Sequence, residues 1–149
     1  MTSVTGKTRS LTFIEILLVI IIIGILIGVS LPSFRKTFNN LQLNSASSEL
    51  QALMNYVHER AIVEGKVIYF NIDNDTKECW AQIKDPPTRL KAYLLPEDVS
   101  IESEKKQILF YPDGSIDSIT IKLTNLNNED VILTTKGVYG RVKLQAQQQ

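Results

Sequence analysis

The sequence predicts an α+β protein in which one long N-terminal helix packs on an antiparallel β-sheet head. Three observations carry this. Residues Ile16 to Leu31, ILLVIIIIGILIGVSL, hold no charge and are apolar on every helical face. Between Leu50 and Ala61 the apolar residues narrow to a single stripe of helical spacing. From Lys66 onward the period switches to two, and no strong helical pattern returns after Gly65. A helix followed by a run of strands is the segregated α+β pattern.

The apolar run reads as a membrane span. A hydrocarbon core about 30 Å thick needs roughly 20 helical residues at about 1.5 Å each. Leu11 to Leu31 supplies 21, with Glu15 as the only ionisable side chain. A cleaved secretory signal would have a shorter core of about 7–15 residues ending in small residues such as A-x-A. Here the run leads into SLPSFRK instead. Lys7 and Arg9 precede the span, and Arg35 and Lys36 follow it. The positive-inside rule leans toward a cytoplasmic N-terminus, and a ten-residue front piece is too short for an outside domain.

Within the span, Glu15 is the informative residue. An acidic side chain costs about 2.5–3.5 kcal/mol at mid-membrane and less near an end, so it marks a function or an interfacial position. Gly24 and Gly28 form a G-x-x-x-G pair that would permit close helix packing, although glycines are common in membrane helices anyway. Pro32 lacks a backbone donor and is expected to kink or loosen the helix near Gly28–Leu31.

Past Pro32 the helix becomes amphipathic. Leu50, Leu53, Met54, Val57 and Ala61 follow the i, i+3, i+4, i+7, i+11 spacing of one buried stripe, with Glu49, Asn55, Glu59 and Arg60 largely off it. The helix is expected to reach Ile62–Glu64 and stop at Gly65. The stretch Asn39–Ser48, weak in pattern and rich in Asn and Ser, reads as a flexible joint. Strands then follow. Ile68, Phe70 and Ile72 share a face, and Asp73-Asn74-Asp75-Thr76 turns into Glu78–Lys84. Pro86-Pro87 breaks the pattern. Further runs are Val99–Glu102, Gln107–Tyr111, Ile116–Thr124, Asp130–Thr135 and Val138–Leu144.

The 149 residues leave room for one modest domain besides the span. After Leu31 the chain holds 14 Lys and Arg against 15 Asp and Glu. That balance announces no nucleic-acid or membrane-surface partner for the head. Cys79 is the only cysteine, so no internal disulfide can form, and beside Trp80 in a strand it reads as a buried thiol. His58 is the only histidine and reads as a solvated or packed side chain. No supported nucleophile–base arrangement is visible, so no catalytic residue is assigned and no enzyme is expected. Asp73-Asn74-Asp75 fails as an EF-hand, because Glu78 stands where glycine is needed and Lys84 where the last ligand belongs. Asp113 and Asp117 are better explained as turn residues. Neither metal nor cofactor is expected.

Ser10-Leu11-Thr12-Phe13-Ile14-Glu15, followed by the apolar run, resembles the processing motif of type IV prepilins and pseudopilins. Gly24 and Pro32 also fall where that family tends to place a glycine and a proline. The resemblance covers about residues 7–34. It implies that a prepilin peptidase cuts between Ser10 and Leu11 and N-methylates Leu11. The family prefers glycine before the cut and phenylalanine after it; this chain has a small residue and an apolar one in those places. Thr12 and Glu15 then match the second and fifth mature positions. The resemblance also implies that Glu15 pairs with the terminal amine of a neighbouring subunit, which would offset the cost of an unpaired buried charge.

A second resemblance lies in the head. Leu95-Pro96-Glu97-Asp98-Val99, then Ile108 to Ser115, then Gly137 to Leu144, are similar in order and spacing to the H-type minor pseudopilin of type II secretion and to FimT-like minor pilins. Some of the latter act in DNA uptake. However, Lys136, Arg141 and Lys143 are only three charges, giving limited counterion release, and no aromatic platform is interleaved with them. Nucleic acid is therefore not an expected partner.

The expected organisation is a 1–10 leader, an 11–31 transmembrane helix, a 32–64 amphipathic helix and a 65–149 β-rich periplasmic head. The expected function is that of a minor pseudopilin in a type II secretion pseudopilus, anchored in the inner membrane. Expected partners are prepilin peptidase, other pseudopilins and secreted cargo. The alternative is a minor pilin of a type IV pilus or competence apparatus.

Overall fold

The computed structural model describes residues 12–135 and 143–147. One helix, α1 (Phe13–Glu64), precedes eight strands: β1 (Ile68–Asp73), β2 (Glu78–Lys84), β3 (Pro87–Leu94), β4 (Val99–Ser103), β5 (Gln107–Phe110), β6 (Ile119–Asn125), β7 (Asp130–Thr135) and β8 (Lys143–Gln147). The chain forms two compact units, 1–36 and 37–149, whose boundary falls inside α1.

In the first unit the apolar run is helical, and α1 continues through Pro32. Its most apolar 18-residue window has a mean hydropathy of 3.0, and none of it is buried. In the second unit the same helix buries one stripe: Leu43, Ala46, Leu50, Leu53, Met54, Val57 and Ala61. Burying each large member contributes about 1.5–3 kcal/mol relative to leaving it exposed.

Two members of that stripe correct the flexible-joint expectation for Asn39–Ser48. Leu43 and Ala46 stand one and two turns before Leu50, and both are buried. Asn and Ser are poor helix formers on their own because their side chains compete for the backbone. Packing of the stripe overrides that preference here, as it does for most helices in folded proteins. Ser47 is buried as well, its hydroxyl donating to the Asn44 carbonyl at 2.9 Å.

The helix ends where glycine is required. Gly65 takes φ +64°, a left-handed conformation, and the Lys66 amide donates back to the Ala61 carbonyl at 3.2 Å. This six-to-one bond is that of a Schellman cap, which favours glycine at its left-handed position.

The strands form two four-stranded antiparallel sheets, ordered β3-β2-β1-β5 and β4-β6-β7-β8. Alternation decides the inward faces. Ile68, Phe70 and Ile72 of β1, Cys79, Ala81 and Ile83 of β2, and Ile119, Ile121 and Leu123 of β6 are all buried. They join the helix stripe in a single apolar cluster that draws on both sheets. Phe70 and Phe110 meet edge to face with centroids 6.2 Å apart.

Three strand expectations shift. No strand was legible over Pro87–Leu94, yet β3 forms there as an edge strand. Only Leu90 and Tyr93 are half-buried in it, so it carries no period-two signature, and proline is tolerated as the first residue of an edge strand. Ile116 makes only an isolated bridge to Phe110; β6 begins at Ile119 because Asp117 is tied to β5. The Leu109 amide donates to the Asp117 carboxylate at 3.2 Å, and the Asp117 amide donates to the Leu109 carbonyl at 3.1 Å. The expected Val138–Leu144 strand falls mostly outside the described residues; among the described ones, β8 over Lys143–Gln147 pairs with β7.

Candidate functional site

The N-terminus of α1 is built by Thr12 and Glu15. The Thr12 carbonyl accepts the amides of Glu15 at 3.0 Å and Ile16 at 3.2 Å. Thr12 thus occupies the position before the first helical residue, and Glu15 is the third residue of the helix. This T-x-x-E spacing is that of a capping box, a local signal additional to the processing motif. The Glu15 side chain is exposed and lies where the helix dipole favours negative charge by about 0.3–1 kcal/mol. Ser10 and Leu11 lie outside the described residues.

Gly24 and Gly28 stand on one face of α1. A methyl group added at either would meet nothing within 4 Å. Packing within this chain therefore does not require their lack of a side chain. Around them Ile20, Ile25, Leu26 and Ile27 are all exposed, so the span presents apolar surface on every side of the glycine pair. Pro32 falls in the helix four residues further on.

In the head, the segments that carry the second resemblance are corners. Leu95 to Val99 takes the chain from β3 in one sheet to β4 in the other, with the Leu95 amide donating to the Lys77 carbonyl at 2.9 Å. Tyr111 to Ser115 takes it from β5 toward β6. There the Asp113 carboxylate accepts both the amide and the hydroxyl of Ser115, at 2.9 and 2.6 Å. The Ser115 hydroxyl, then its amide, hold the Asp113 carboxyl below its ordinary range. Gly114 supplies the left-handed turn at φ +84°.

The residues tested for chemistry occupy structural positions. His58 packs its ring 6.4 Å from Phe110, and its Nε2 lies 2.9 Å from the Gly114 carbonyl. A cleft of about 290 Å³ beside it is lined by Asn55, His58, Glu59 and Ile62. Cys79 is fully buried, and burial pushes its thiol up to about 12. The Asp73 carboxylate caps its own turn, accepting the Asp75 amide at 2.9 Å and the Thr76 amide at 3.3 Å. Among the described residues, no group of three His, Cys, Asp or Glu side chains is arranged to hold a metal ion. Lys136 and Arg141 lie outside the described residues, and Lys143 opens β8.

One feature of the head was not legible beforehand. Four asparagines fasten the start of its helix to the β6–β7 loop. The Asn125 amide group donates to Asn40 Oδ1 at 2.9 Å and to Glu129 Oε2 at 3.1 Å. Asn125 Oδ1 accepts the backbone amides of Asn127 at 2.9 Å and Glu129 at 3.0 Å. Asn39 donates to Asn127 Oδ1 at 3.3 Å. Asn125 is 5% exposed, so these bonds stand in place of water that the burial excludes. Asn in the sequence suggested only loops; the pairing joins residues more than eighty positions apart.

Known proteins share this fold. A family model described as type II transport protein GspH matches residues 46–144. No curated protein sequence matches the chain. Among solved structures, the minor pseudopilin EpsH of the Vibrio cholerae type II secretion system is 18% identical, with a TM-score of 0.60 over 75% of this chain and 98% of that one. The type IV minor pilin FimU of Pseudomonas aeruginosa is 14% identical, with a TM-score of 0.58 over 73% and 90%. The solution structure of E. coli GspH is 15% identical, with a TM-score of 0.58 over 72% and 89%.

Proposed function

The chain belongs to the GspH family of type II transport proteins, and from that membership we propose that it is a minor pseudopilin of a type II secretion pseudopilus. It acts by assembling with other pseudopilins and not by catalysis. The family match over the head supports this reading most directly. The exposed apolar helix ahead of the head supports membrane anchoring. In this reading the anchor lies in the inner membrane, with its N-terminus cytoplasmic and its head periplasmic. Prepilin peptidase cuts between Ser10 and Leu11 and methylates Leu11. The new amine then pairs with Glu15 of a neighbouring subunit, while Thr12, Gly24, Gly28 and Pro32 shape the helix for packing in the filament. Secreted cargo meets the assembled heads.

Intact mass and N-terminal analysis of membrane-extracted protein tests the processing. The expected product is a methylated chain beginning at Leu11; a chain still beginning near Met1 in cells with active peptidase sinks it. Glu15→Gln should still insert but assemble poorly, and normal co-assembly would refute the pairing. Deletion should reduce export of folded proteins.

A second reading, a minor pilin of a type IV pilus or competence apparatus, has one observation in its favour. The head resembles the minor pilin FimU as closely as it does E. coli GspH, with the same TM-score of 0.58. Intact secretion with impaired piliation on deletion would select it.

A further inference from the structure

The cleft beside His58 presents three hydrogen-bond acceptors that the chain itself leaves unanswered. Its lining residues Asn55, His58, Glu59 and Ile62 share one face of α1, at the i, i+3, i+4, i+7 spacing. The Gly114 carbonyl stands 2.9 Å from His58 Nε2. A carbonyl can only accept, so Nε2 carries the proton, and Nδ1 of the neutral ring is left an acceptor. Glu59 is exposed, and the neighbouring Arg60 is already bound to Glu64. Asn55 Oδ1 is shut off from solvent with no donor in reach. An acceptor in that state has lost its water and gained nothing in return.

These acceptors select their ligand. Three of them, one a carboxylate, call for a cation that brings several N–H donors. A primary ammonium brings three from a single atom and accepts none. A guanidinium spreads five in a flat fork suited to the paired oxygens of one carboxylate, whereas the acceptors here sit on three separate side chains. Calcium and magnesium ask for about six oxygen ligands or more, and of the lining side chains only Asn55 and Glu59 carry oxygen. Ile62 gives the cleft an apolar wall, on which the methylene stem of a lysine packs. The volume of about 290 Å³ falls just below the range of about 300–1,000 Å³ for small-molecule sites. It suits the end of one side chain.

We propose that this cleft is a socket for a lysine side chain presented by a neighbouring subunit. Glu59 counters the charge of the ammonium, while Asn55 Oδ1 and His58 Nδ1 accept its remaining hydrogens. The choice of a subunit as bearer rests on the filament reading above; the ammonium chemistry does not. The Asn55 amide turns about a soft torsion, which brings Oδ1 round to the arriving donor. The Gly114 carbonyl holds the ring from the other side, so the tautomer that leaves Nδ1 free is set before the ligand arrives.

The test titrates the detergent-solubilised full-length chain with Nα-acetyl-lysine methylamide and follows the imidazole resonances by NMR. His58 is the only histidine, so every imidazole shift is its own. Saturable shifts are expected; tetramethylammonium, which has the charge but no N–H, should give none. Glu59→Gln and Asn55→Ala should each weaken binding roughly tenfold, as loss of a hydrogen bond to a charged group does. Protection of the buried Cys79 thiol reports that a variant is folded. Glu59 is exposed, so Glu59→Gln decides the matter if Asn55→Ala unfolds. Equal shifts with tetramethylammonium, or undiminished binding by Glu59→Gln, overturn the socket. The bearer is read by zero-length carbodiimide coupling of sheared filaments assembled with the sister pseudopilins, where a link from Glu59 to a lysine of another subunit is expected. Filaments that contain the chain but carry no such link overturn the neighbour's lysine and leave the filament reading intact. Absence of the parental chain from the filaments removes that reading and the neighbour's lysine with it.

Discussion

The two parts of α1 are one helix in two different surroundings. From Phe13 to Ile27 large apolar side chains stand exposed on all sides, Ile20 at 64% for example, whereas in the head the same helix buries a narrow stripe with Met54 at 0%. Residue type and its distribution around the axis both separate them. The first part carries Glu15 as its only ionisable side chain, whereas the second interleaves Asn, Ser and charged residues with its apolar stripe. An all-round apolar helix has no preferred partner face and suits a medium that is apolar in every direction. The striped helix has one face to bury and takes its stability from the strands that share its apolar cluster. The anchor's requirements are therefore met outside this chain, and the head's within it.

The largest expected effect that sharpens this contrast is in the stripe. Met54→Ala should cost the head about 2–5 kcal/mol through lost contact and the cavity left behind. Ile20→Ala should leave the head's unfolding unchanged. Denaturation of the detergent-solubilised full chain, followed by near-ultraviolet circular dichroism, measures both, and equal losses would break the comparison. Next is the clamp that the four asparagines form. Asn125→Ala strands the amides of Asn127 and Glu129 and should cost about 1–3 kcal/mol, read in the same experiment.

Two glycines give a smaller contrast. Gly65→Ala forces a side chain into a left-handed position and should cost about 1–2 kcal/mol. Gly24→Ala meets nothing within 4 Å and should leave the detergent-solubilised protein's stability as it was. A drop for Gly24→Ala would reveal a contact inside this chain. The smallest effect is acid sensitivity. Hydrogen bonding and attraction from Lys122, with a further bond from Thr124, hold the Asp130 carboxyl below 3.8. Thr76 and the Asp75 amide do the same for Asp73. A carboxyl with a lowered folded value stabilises the fold above its unfolded value, about 3.9, and that share is lost as pH falls through the lower folded value. The head's unfolding midpoint should fall in that window, with Asp130→Asn flattening the dependence. An unchanged pH profile in that variant would show the pair to be inert.

How much was legible in the sequence follows from which signals are local. The stripe from Leu50 to Ala61, the stop at Gly65 and the alternation of Ile119, Ile121 and Leu123 depend on near neighbours, and each stands as read. Asn39–Ser48 was misread because Leu43 and Ala46 are too sparse to outweigh the Asn and Ser around them until a partner sheet is present. Strand β3 was missed because an edge strand with little buried surface has no alternation to display. The clamp joins Asn40 to Asn125, and no spacing rule connects them. The T-x-x-E spacing of Thr12 and Glu15 was readable as a helix start, but the processing motif occupies the same letters.

The corners at Leu95 to Val99 and Tyr111 to Ser115 have a consequence for the order in which the head comes together. The chain enters the second sheet with β4, returns to the first for β5, and leaves it again for β6, β7 and β8. Three strands of the first sheet are adjacent in sequence, but its fourth arrives only after a strand of the other has been laid down. A chain emerging N-terminus first acquires β4 before β6, the strand it pairs with. The first layer has all its strands by Phe110, whereas the second cannot close until β6, β7 and β8 have joined β4. The head is therefore completed only by its last strands, and β4 waits unpaired through the whole of β5.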